Sequence, residues 1–215
     1  MKIYLIPGLG ADRRMYQHQL NIFPDAEVLE YFLPTKREPL TCYSKRMAER
    51  IDTSSPFILI GTSLGGIISM ELSRILKPEK IILIASIKNR SEMPLLFRVM
   101  KYLKLHRAIS GERVKSFNKL MVKRLDSRRD SEVADIIRAM TEDVPGEFIE
   151  WAMDAVVNWN PPEEYRSDII HLHGTNDLLF PISKIKNAIA IEKGSHVMNM
   201  SSSAEVNRLL LKEIN

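Results

Sequence analysis

The chain has 215 residues, of which 45% are hydrophobic and 27% are charged, as is typical of a globular protein. This composition excludes a disordered chain or a collagen, and the single cysteine, Cys42, excludes a disulfide scaffold. No stretch approaches the roughly 20 apolar residues of a membrane span, and the apolar start of the chain ends at Pro7 without a signal-peptide cleavage site. We therefore expect a soluble, cytoplasmic protein with residues 1–215 in a single domain and no stable membrane insertion.

The net charge of +4 is unevenly distributed along the chain. Residues 88–129 contain 13 basic and 3 acidic residues, whereas residues 130–164 contain 1 basic and 10 acidic residues. Two such blocks in succession indicate halves that pair with each other or stay solvated, although exposed ion pairs contribute only about 0–1 kcal/mol each. A contact with anionic lipid or an acyl-CoA is the alternative interpretation. No aromatic residues alternate with the basic ones as in single-strand binders, so we expect no nucleic-acid partner.

Six short apolar runs predict the strands of one sheet. They are mostly continuous rather than alternating and rich in isoleucine, a pattern typical of parallel strands buried on both faces. The predicted strands are residues 3–6, 28–33, 57–60, 81–84, 169–172 and 188–191. Helices are predicted over about 41–52, over 64–76 and from a capping box at Ser202 and Glu205. This alternation predicts an α/β fold with about six mainly parallel strands flanked by helices.

Residues 88–165 interrupt the alternation because they contain no isoleucine-rich strand. Helical spacing places apolar side chains on one side of a helix at Leu96, Val99, Met100 and Leu103. We interpret 88–165 as a helical lid inserted between two strands of the sheet. Its methionine and aromatic side chains are expected to fill the core of the insertion itself, or in part to line an apolar acyl pocket.

The residues Gly61-Thr62-Ser63-Leu64-Gly65 fit the pattern G-x-S-x-G between a predicted strand and a predicted helix. A serine at such a sharp strand-to-helix turn is typical of a nucleophile elbow, in which small neighbours prevent clashes. The helix N-terminus directs backbone N–H groups at charge that develops beside the serine. A structural glycine-rich turn is the alternative interpretation of this segment.

A nucleophilic serine needs a base, and the base needs a carboxylate that fixes its tautomer. His196 lies between the last predicted strand and the last predicted helix, where a loop can reach the same sheet edge as Ser63. Asp177 also follows the carboxyl end of a predicted strand, whereas Asp168 precedes that strand and belongs to the opposite edge. We therefore predict that Ser63, Asp177 and His196 form a catalytic triad.

The remaining histidines and the cysteine have other interpretations. His18 and His106 are expected at the solvated surface. Cys42 does not lie at the elbow, so it is not expected to be a nucleophile and is expected to pack in the buried core. His171 and His173 are expected to pack in the core or to support the loop that follows them. As an H-x-H pair they suit a metal, but no third ligand lies nearby in the sequence.

Together these segments resemble the α/β-hydrolase superfamily. The matching residues are 7–10 (Pro-Gly-Leu-Gly), 61–65, 173–177 (His-Gly-Thr-Asn-Asp) and 194–196 (Gly-Ser-His). The resemblance implies that the backbone N–H groups of Leu9 and Leu64 form an oxyanion hole, and that the insertion is the variable lid of the family. It also implies a sheet without the usual leading antiparallel hairpin. Epoxide hydrolases and dehalogenases of this layout carry aspartate at the elbow, so the serine separates the chain from them.

The function that this resemblance implies is that of a serine hydrolase. We expect it to cleave a small-molecule carboxylic ester or thioester with an apolar acyl part, through an acyl-enzyme on Ser63. No metal and no organic cofactor is expected. An acyltransferase or cofactor-free lyase with the same triad is one alternative, and a non-catalytic ligand-binding protein on a hydrolase fold is another.

Overall fold

The computed structural model describes residues 1–104, 110–116, 131–161 and 167–214. These residues contain six strands that form one sheet in the order β2-β1-β3-β4-β5-β6, and all neighbouring strands are parallel. The strands are β1 (Lys2–Ile6), β2 (Glu27–Val28), β3 (Phe57–Thr62), β4 (Lys80–Ile84), β5 (Asp168–Gly174) and β6 (Ile189–Ile191). The prediction of a six-stranded, mainly parallel sheet is confirmed.

Helices cover both faces of this sheet. They are α1 (Gln17–Ile22), α2 (Leu40–Ala48), α3 (Leu64–Leu72), α4 (Leu95–Tyr102), α5 (Ser131–Asp143), α6 (Gly146–Asn158), α7 (Met198–Ser201) and α8 (Ser203–Ile214). Leu59 and Leu83 pack on one face with α2, α3 and α6, whereas Ile58 and Ile82 pack on the other face with α8. Because successive side chains of a strand point to opposite faces, burial of both faces explains the continuous apolar runs.

The predicted second strand, 28–33, is shorter in the structure. Only Glu27 and Val28 pair with β1, and the chain then leaves the sheet. The backbone N–H and carbonyl of Phe32 are instead bonded to the hydroxyl of Tyr43, at 3.1 and 2.9 Å, and the two rings stack with centroids 4.5 Å apart. A side chain from α2 therefore satisfies the backbone groups that Phe32, as a strand residue, would have offered to a neighbouring strand.

Two smaller expectations were wrong. Cys42 is exposed rather than buried, because α2 turns Leu40, Tyr43 and Met47 toward the core. The last helix begins at Ser203, as a cap at Ser202 predicts, but the buried Ser202 hydroxyl has no hydrogen-bond partner among the described residues, so the side-chain bond of the capping box is not formed.

The segment between β4 and β5 contains α4, helical residues 111–116, α5 and α6. The inward side of α4 differs from the predicted one, since Phe97 and Met100 are buried while Leu96, Val99 and Leu103 are exposed. The helix contacts α6 through that buried side. Within the described ranges, no helix is both long and apolar enough to cross a membrane.

Part of the basic and acidic blocks, residues 105–109, 117–130 and 162–166, lies outside the described residues. Where the structure describes these blocks, Lys115 pairs with Glu112 of its own block, and Asp143 pairs with Arg14 near the start of the chain. His106 also lies outside the described residues, and His18 is half-buried on α1.

Candidate active site

The three predicted triad residues lie together at the carboxyl edge of the sheet. Ser63 stands between β3 and α3, Asp177 follows β5, and His196 follows β6. The His196 ring joins the other two, with Nε2 3.0 Å from Ser63 Oγ and Nδ1 2.9 Å from Asp177 Oδ2. Asp168 begins β5 at the opposite edge and is exposed. Asp177 and His196 follow Ser63 by 114 and 133 positions in the sequence, yet the three converge because parallel strands end at one edge of the sheet.

Ser63 has a strained backbone conformation, with φ of 52° and ψ of −114°. An L-residue adopts a positive φ only where the surroundings impose it, and such residues concentrate at functional sites. Close packing imposes it here, because a Cβ added to Gly65 would lie 2.0 Å from the carbonyl oxygen of Ile6. The Ser63 N–H donates to the Ile84 carbonyl at 3.0 Å. The turn therefore holds the serine hydroxyl out toward His196.

Asp177 is held as a carboxylate that orients His196. Its Oδ1 accepts backbone N–H groups of Leu179 and Phe180 at 2.8 and 2.9 Å. Burial acts to raise the pKa of Asp177, but the charge and hydrogen bond of His196, with the Phe180 N–H, bring that pKa below its ordinary value. An ionised Asp177 accepts a hydrogen bond from the Nδ1–H of His196, and the Nε2 lone pair can then accept a hydrogen bond from the Ser63 hydroxyl.

The loop after β1 lies against the serine. A Cβ added to Gly8 would be 3.5 Å from the Cβ of Ser63, and the Gly8 N–H donates to Met15 Sδ at 3.4 Å. The Tyr31 hydroxyl donates to the Pro7 carbonyl and ties this loop to the segment after β2. Leu9 follows in the same loop, while Leu64 directly follows the serine and opens α3. The two predicted oxyanion donors thus belong to the two segments that flank Ser63.

His171 and His173 are both buried beneath the loop that carries Asp177. His173 Nε2 lies 2.7 Å from the Phe180 carbonyl oxygen, and His171 Nε2 lies 3.0 Å from the Ser86 carbonyl oxygen. The predicted support of the following loop is therefore visible as a hydrogen bond. Among the described residues, no group of three or more metal-ligating side chains is placed to hold a metal ion.

Ser86 was not singled out from the sequence. Its hydroxyl donates to the Ser63 carbonyl oxygen at 2.7 Å, and so fastens the elbow to the segment after β4. The sequence does contain a pointer to it, because Ala85-Ser86 directly follows the carboxyl end of a strand that was predicted to lie in the same sheet.

A cleft of about 350 Å³ opens between the segment after β2 and the junction of α5 and α6. Its walls are mainly apolar, and Tyr31 and Phe148 meet there with ring centroids 4.8 Å apart. Three carboxylates also line it: Asp12, Glu30 and Asp143. Arg14 binds both Asp12 and Asp143, while burial raises the pKa of Glu30. The lining residues come from distant parts of the chain, so no local sequence pattern indicated this cleft.

Comparison with solved structures gives extensive similarity. A thermophilic esterase from Thermogutta terrifontis has a TM-score of 0.76 at 17% identity, over 100% of this chain and 89% of that one. The enol-lactonase from Burkholderia xenovorans LB400 has a TM-score of 0.76 at 16% identity, over 98% and 90%. MenH from S. aureus has a TM-score of 0.73 at 16% identity, over 99% and 92%.

The sequence itself matches no protein-family model and no curated protein. Identities of 16–17% establish a shared fold and not a shared reaction. The chain has the α/β-hydrolase fold, which confirms the fold predicted from its motifs.

Proposed function

We propose that this protein is a serine hydrolase that cleaves a carboxylic ester or thioester. The observation that carries this proposal is the position of the His196 ring, within hydrogen-bond distance of both Ser63 Oγ and the Asp177 carboxylate. A hydroxyl, an imidazole and a carboxylate in this order form the constellation that activates a serine.

The proposed reaction has two stages. His196 Nε2 takes the hydroxyl proton as Ser63 Oγ attacks the carbonyl carbon, and it then gives that proton to the departing alcohol or thiol. The acyl group remains on Ser63. His196 next deprotonates a water that attacks the acyl-enzyme, and the acid leaves as the proton returns to Ser63. Asp177 stabilises the imidazolium in both stages.

The negative oxygen formed in each stage is assigned to the backbone N–H groups of Leu9 and Leu64. Their segments flank the serine, and α3 begins at Leu64 with its N-terminus beside Ser63. Donors placed before the reaction need no reorganisation as charge develops, and each is worth about 3–4 kcal/mol of barrier.

The helices between β4 and β5 are proposed to act as a lid over this site. α5 reaches the loop after β1, because a Cβ added to Gly10 would lie 3.6 Å from Thr141 Oγ1. The cleft beside Tyr31 and Phe148 lies between the lid and the core. No triad residue lines it, but Tyr31 connects it to the loop beside Ser63 through the Pro7 carbonyl, and its aromatic walls suit an apolar part of the substrate. Solved structures of the same fold include an esterase and an enol-lactonase, and this supports the proposal that the protein hydrolyses esters.

A fluorophosphonate probe and a panel of short- and medium-chain p-nitrophenyl esters test the proposal. The wild type should be labelled at Ser63 and hydrolyse members of the panel, whereas Ser63→Ala should lose both properties. Ser54→Ala, at an exposed serine, is the matched control and should keep both.

An active wild type that stays unlabelled, or full activity in Ser63→Ala, would overturn the proposal. Transfer of the acyl group to an added alcohol or thiol in preference to water would indicate an acyltransferase. Absence of turnover with the whole panel would favour a binding protein.

A further inference from the structure

The mechanism above makes no use of a pair of histidines buried behind Asp177. His171 and His173 point to the same side of β5 and expose 1% and 0% of their surface. Their rings are in contact, with His173 Nδ1 3.2 Å from His171 Nε2. The pair lies between the loop that carries Asp177 and Ser86, the residue that holds the carbonyl of Ser63.

The hydrogen-bond partners determine where the protons of this pair lie. A carbonyl oxygen only accepts, so the bond to Phe180 places a proton on His173 Nε2, and the bond to Ser86 places one on His171 Nε2. His173 Nδ1 is then free to accept, and the His171 Nε2 proton is shared between it and the Ser86 carbonyl. Both rings are neutral in this arrangement, and each has its proton on Nε2.

The surroundings keep the rings neutral. Burial lowers the pKa of His171 to about 3, with a further contribution from His173 and Lys88, and burial also lowers the pKa of His173. Asp177 and Glu92 act in the opposite direction on His173, and His196 acts in the same direction as burial. Desolvation outweighs the two carboxylates, so neither ring carries charge near neutral pH.

We propose that His173 is a positioning residue for Asp177, and that His171 fixes the tautomer in which His173 can do this. The inference rests on the proposed function, because it concerns the acid of the proposed triad. His173 holds the carbonyl of Phe180, whose own N–H is one of the two donors to Asp177 Oδ1. Its Nε2 also lies 3.4 Å from Asp177 Oδ2, the oxygen that faces His196. One neutral ring therefore holds the segment that orients Oδ1 and also lies beside Oδ2.

Three variants separate this role from simple packing. His173→Gln keeps an N–H that can reach the Phe180 carbonyl, whereas His173→Leu removes it. Leu172→Val, on the other face of the same strand, is the matched control for loss of packing. We expect His173→Leu to lower kcat/KM for p-nitrophenyl butyrate about 10- to 100-fold, mainly in kcat, as misplacement of a catalytic group does. The glutamine variant should recover most of that loss, and Leu172→Val should stay within about twofold of wild type.

Nitrogen NMR of the histidine rings tests the proton positions directly. In the wild type, His171 and His173 should give the neutral Nε2–H pattern at about pH 7–9. The downfield Nδ1 proton of His196, bonded to Asp177, should persist in His173→Gln and broaden or shift in His173→Leu. If the leucine variant does not fold, His173→Asn replaces it, since its amide is too short to reach Phe180.

A charged or Nδ1-protonated His173 at neutral pH would overturn the inference. An unchanged His196 Nδ1 resonance in His173→Leu would also overturn it. So would a folded His173→Leu with kcat/KM within about twofold of wild type. Failure of the proposed function is seen separately, as a wild type that neither reacts with the fluorophosphonate nor hydrolyses esters. The NMR readouts still decide the positioning of Asp177 in that case.

Discussion

The indole N–H of Trp159 donates a hydrogen bond to Glu71 Oε1 at 2.9 Å. Trp159 follows α6, and Glu71 lies on α3, the helix that begins directly after Ser63. They expose only 3% and 1% of their surface, and burial raises the pKa of Glu71. The proposed lid is thus fastened to the helix of the nucleophile through a buried carboxylate.

Trp159→Phe should lower the free energy of unfolding by about 1–3 kcal/mol, because it leaves a buried carboxylate oxygen without its donor. Urea unfolding at neutral pH measures this loss. Trp151→Phe is the matched control, since its indole N–H donates to a neutral acceptor, the Glu38 carbonyl, at 2.7 Å. An equal or larger loss in the control would contradict the special role of the Glu71 bond.

Gly65→Ala should strongly destabilise the protein or prevent folding, because the added methyl would meet the backbone of Ile6 at 2.0 Å. Gly8→Ala places its methyl at an ordinary contact distance of 3.5 Å from Ser63 Cβ and should fold nearly normally. Thermal unfolding of both variants checks the difference. Equal melting temperatures would show that the elbow can relax around a side chain.

Asp177→Asn should lower kcat by about 1,000- to 10,000-fold, because the amide favours the wrong tautomer of His196. The measurement is steady-state hydrolysis of a p-nitrophenyl ester. Asp168→Asn changes the exposed carboxylate at the other end of β5 and should leave kcat unaltered. A modest loss in Asp177→Asn, within about tenfold, would argue against the proposed role of the acid.

The free energy of unfolding should fall as the pH drops below about 6.5. In this range His171 binds a proton in the unfolded chain, whereas in the folded protein it stays neutral down to about pH 3. The stabilisation from the lowered pKa of His171 is fully present above the pKa of the unfolded state, and it is lost as the pH falls toward the pKa of the folded state. Each such group contributes a slope of about 1.4 kcal/mol per pH unit. The lowered pKa of Asp177 acts only further down, below its ordinary 3.8.

Urea unfolding of wild type and His171→Gln between about pH 5 and 7.5 measures this slope. The glutamine variant should have a shallower slope, whereas Leu172→Val should lose stability equally at each pH. A slope that is unchanged in His171→Gln would mean that other groups cause the acid sensitivity.

Glu30→Gln should improve kcat/KM for an ester with a carboxylate in its acyl part, relative to a neutral ester of equal length. The reason is repulsion between the cleft carboxylate and the anion, which at a partly exposed site is worth about 0.2–1 kcal/mol, or about fivefold at most. Glu27→Gln, on exposed β2 outside the cleft, should not change that ratio. If Glu30→Gln leaves the ratio of kcat/KM between the anionic and the neutral ester unchanged, the acyl part of the substrate does not bind in this cleft.

Local patterns were sufficient for most of the fold. Continuous apolar runs predicted the positions of all six strands, because burial on both faces leaves its mark within each run. The second strand was predicted too long, since Tyr43 on a later helix captures the backbone of Phe32. The exposed position of Cys42 likewise depended on how α2 packs, which its own residues do not specify.

The sequence by itself determined which side chains can do chemistry and at which edge of the sheet they emerge, because strand ends and the G-x-S-x-G turn are local features. Only the tertiary structure decided the distances from His196 to its two partners, the contact between the rings of His171 and His173, and the existence of a cleft. The reason is that these depend on contacts between residues far apart in the chain, whose geometry is set when the layers pack and water is excluded.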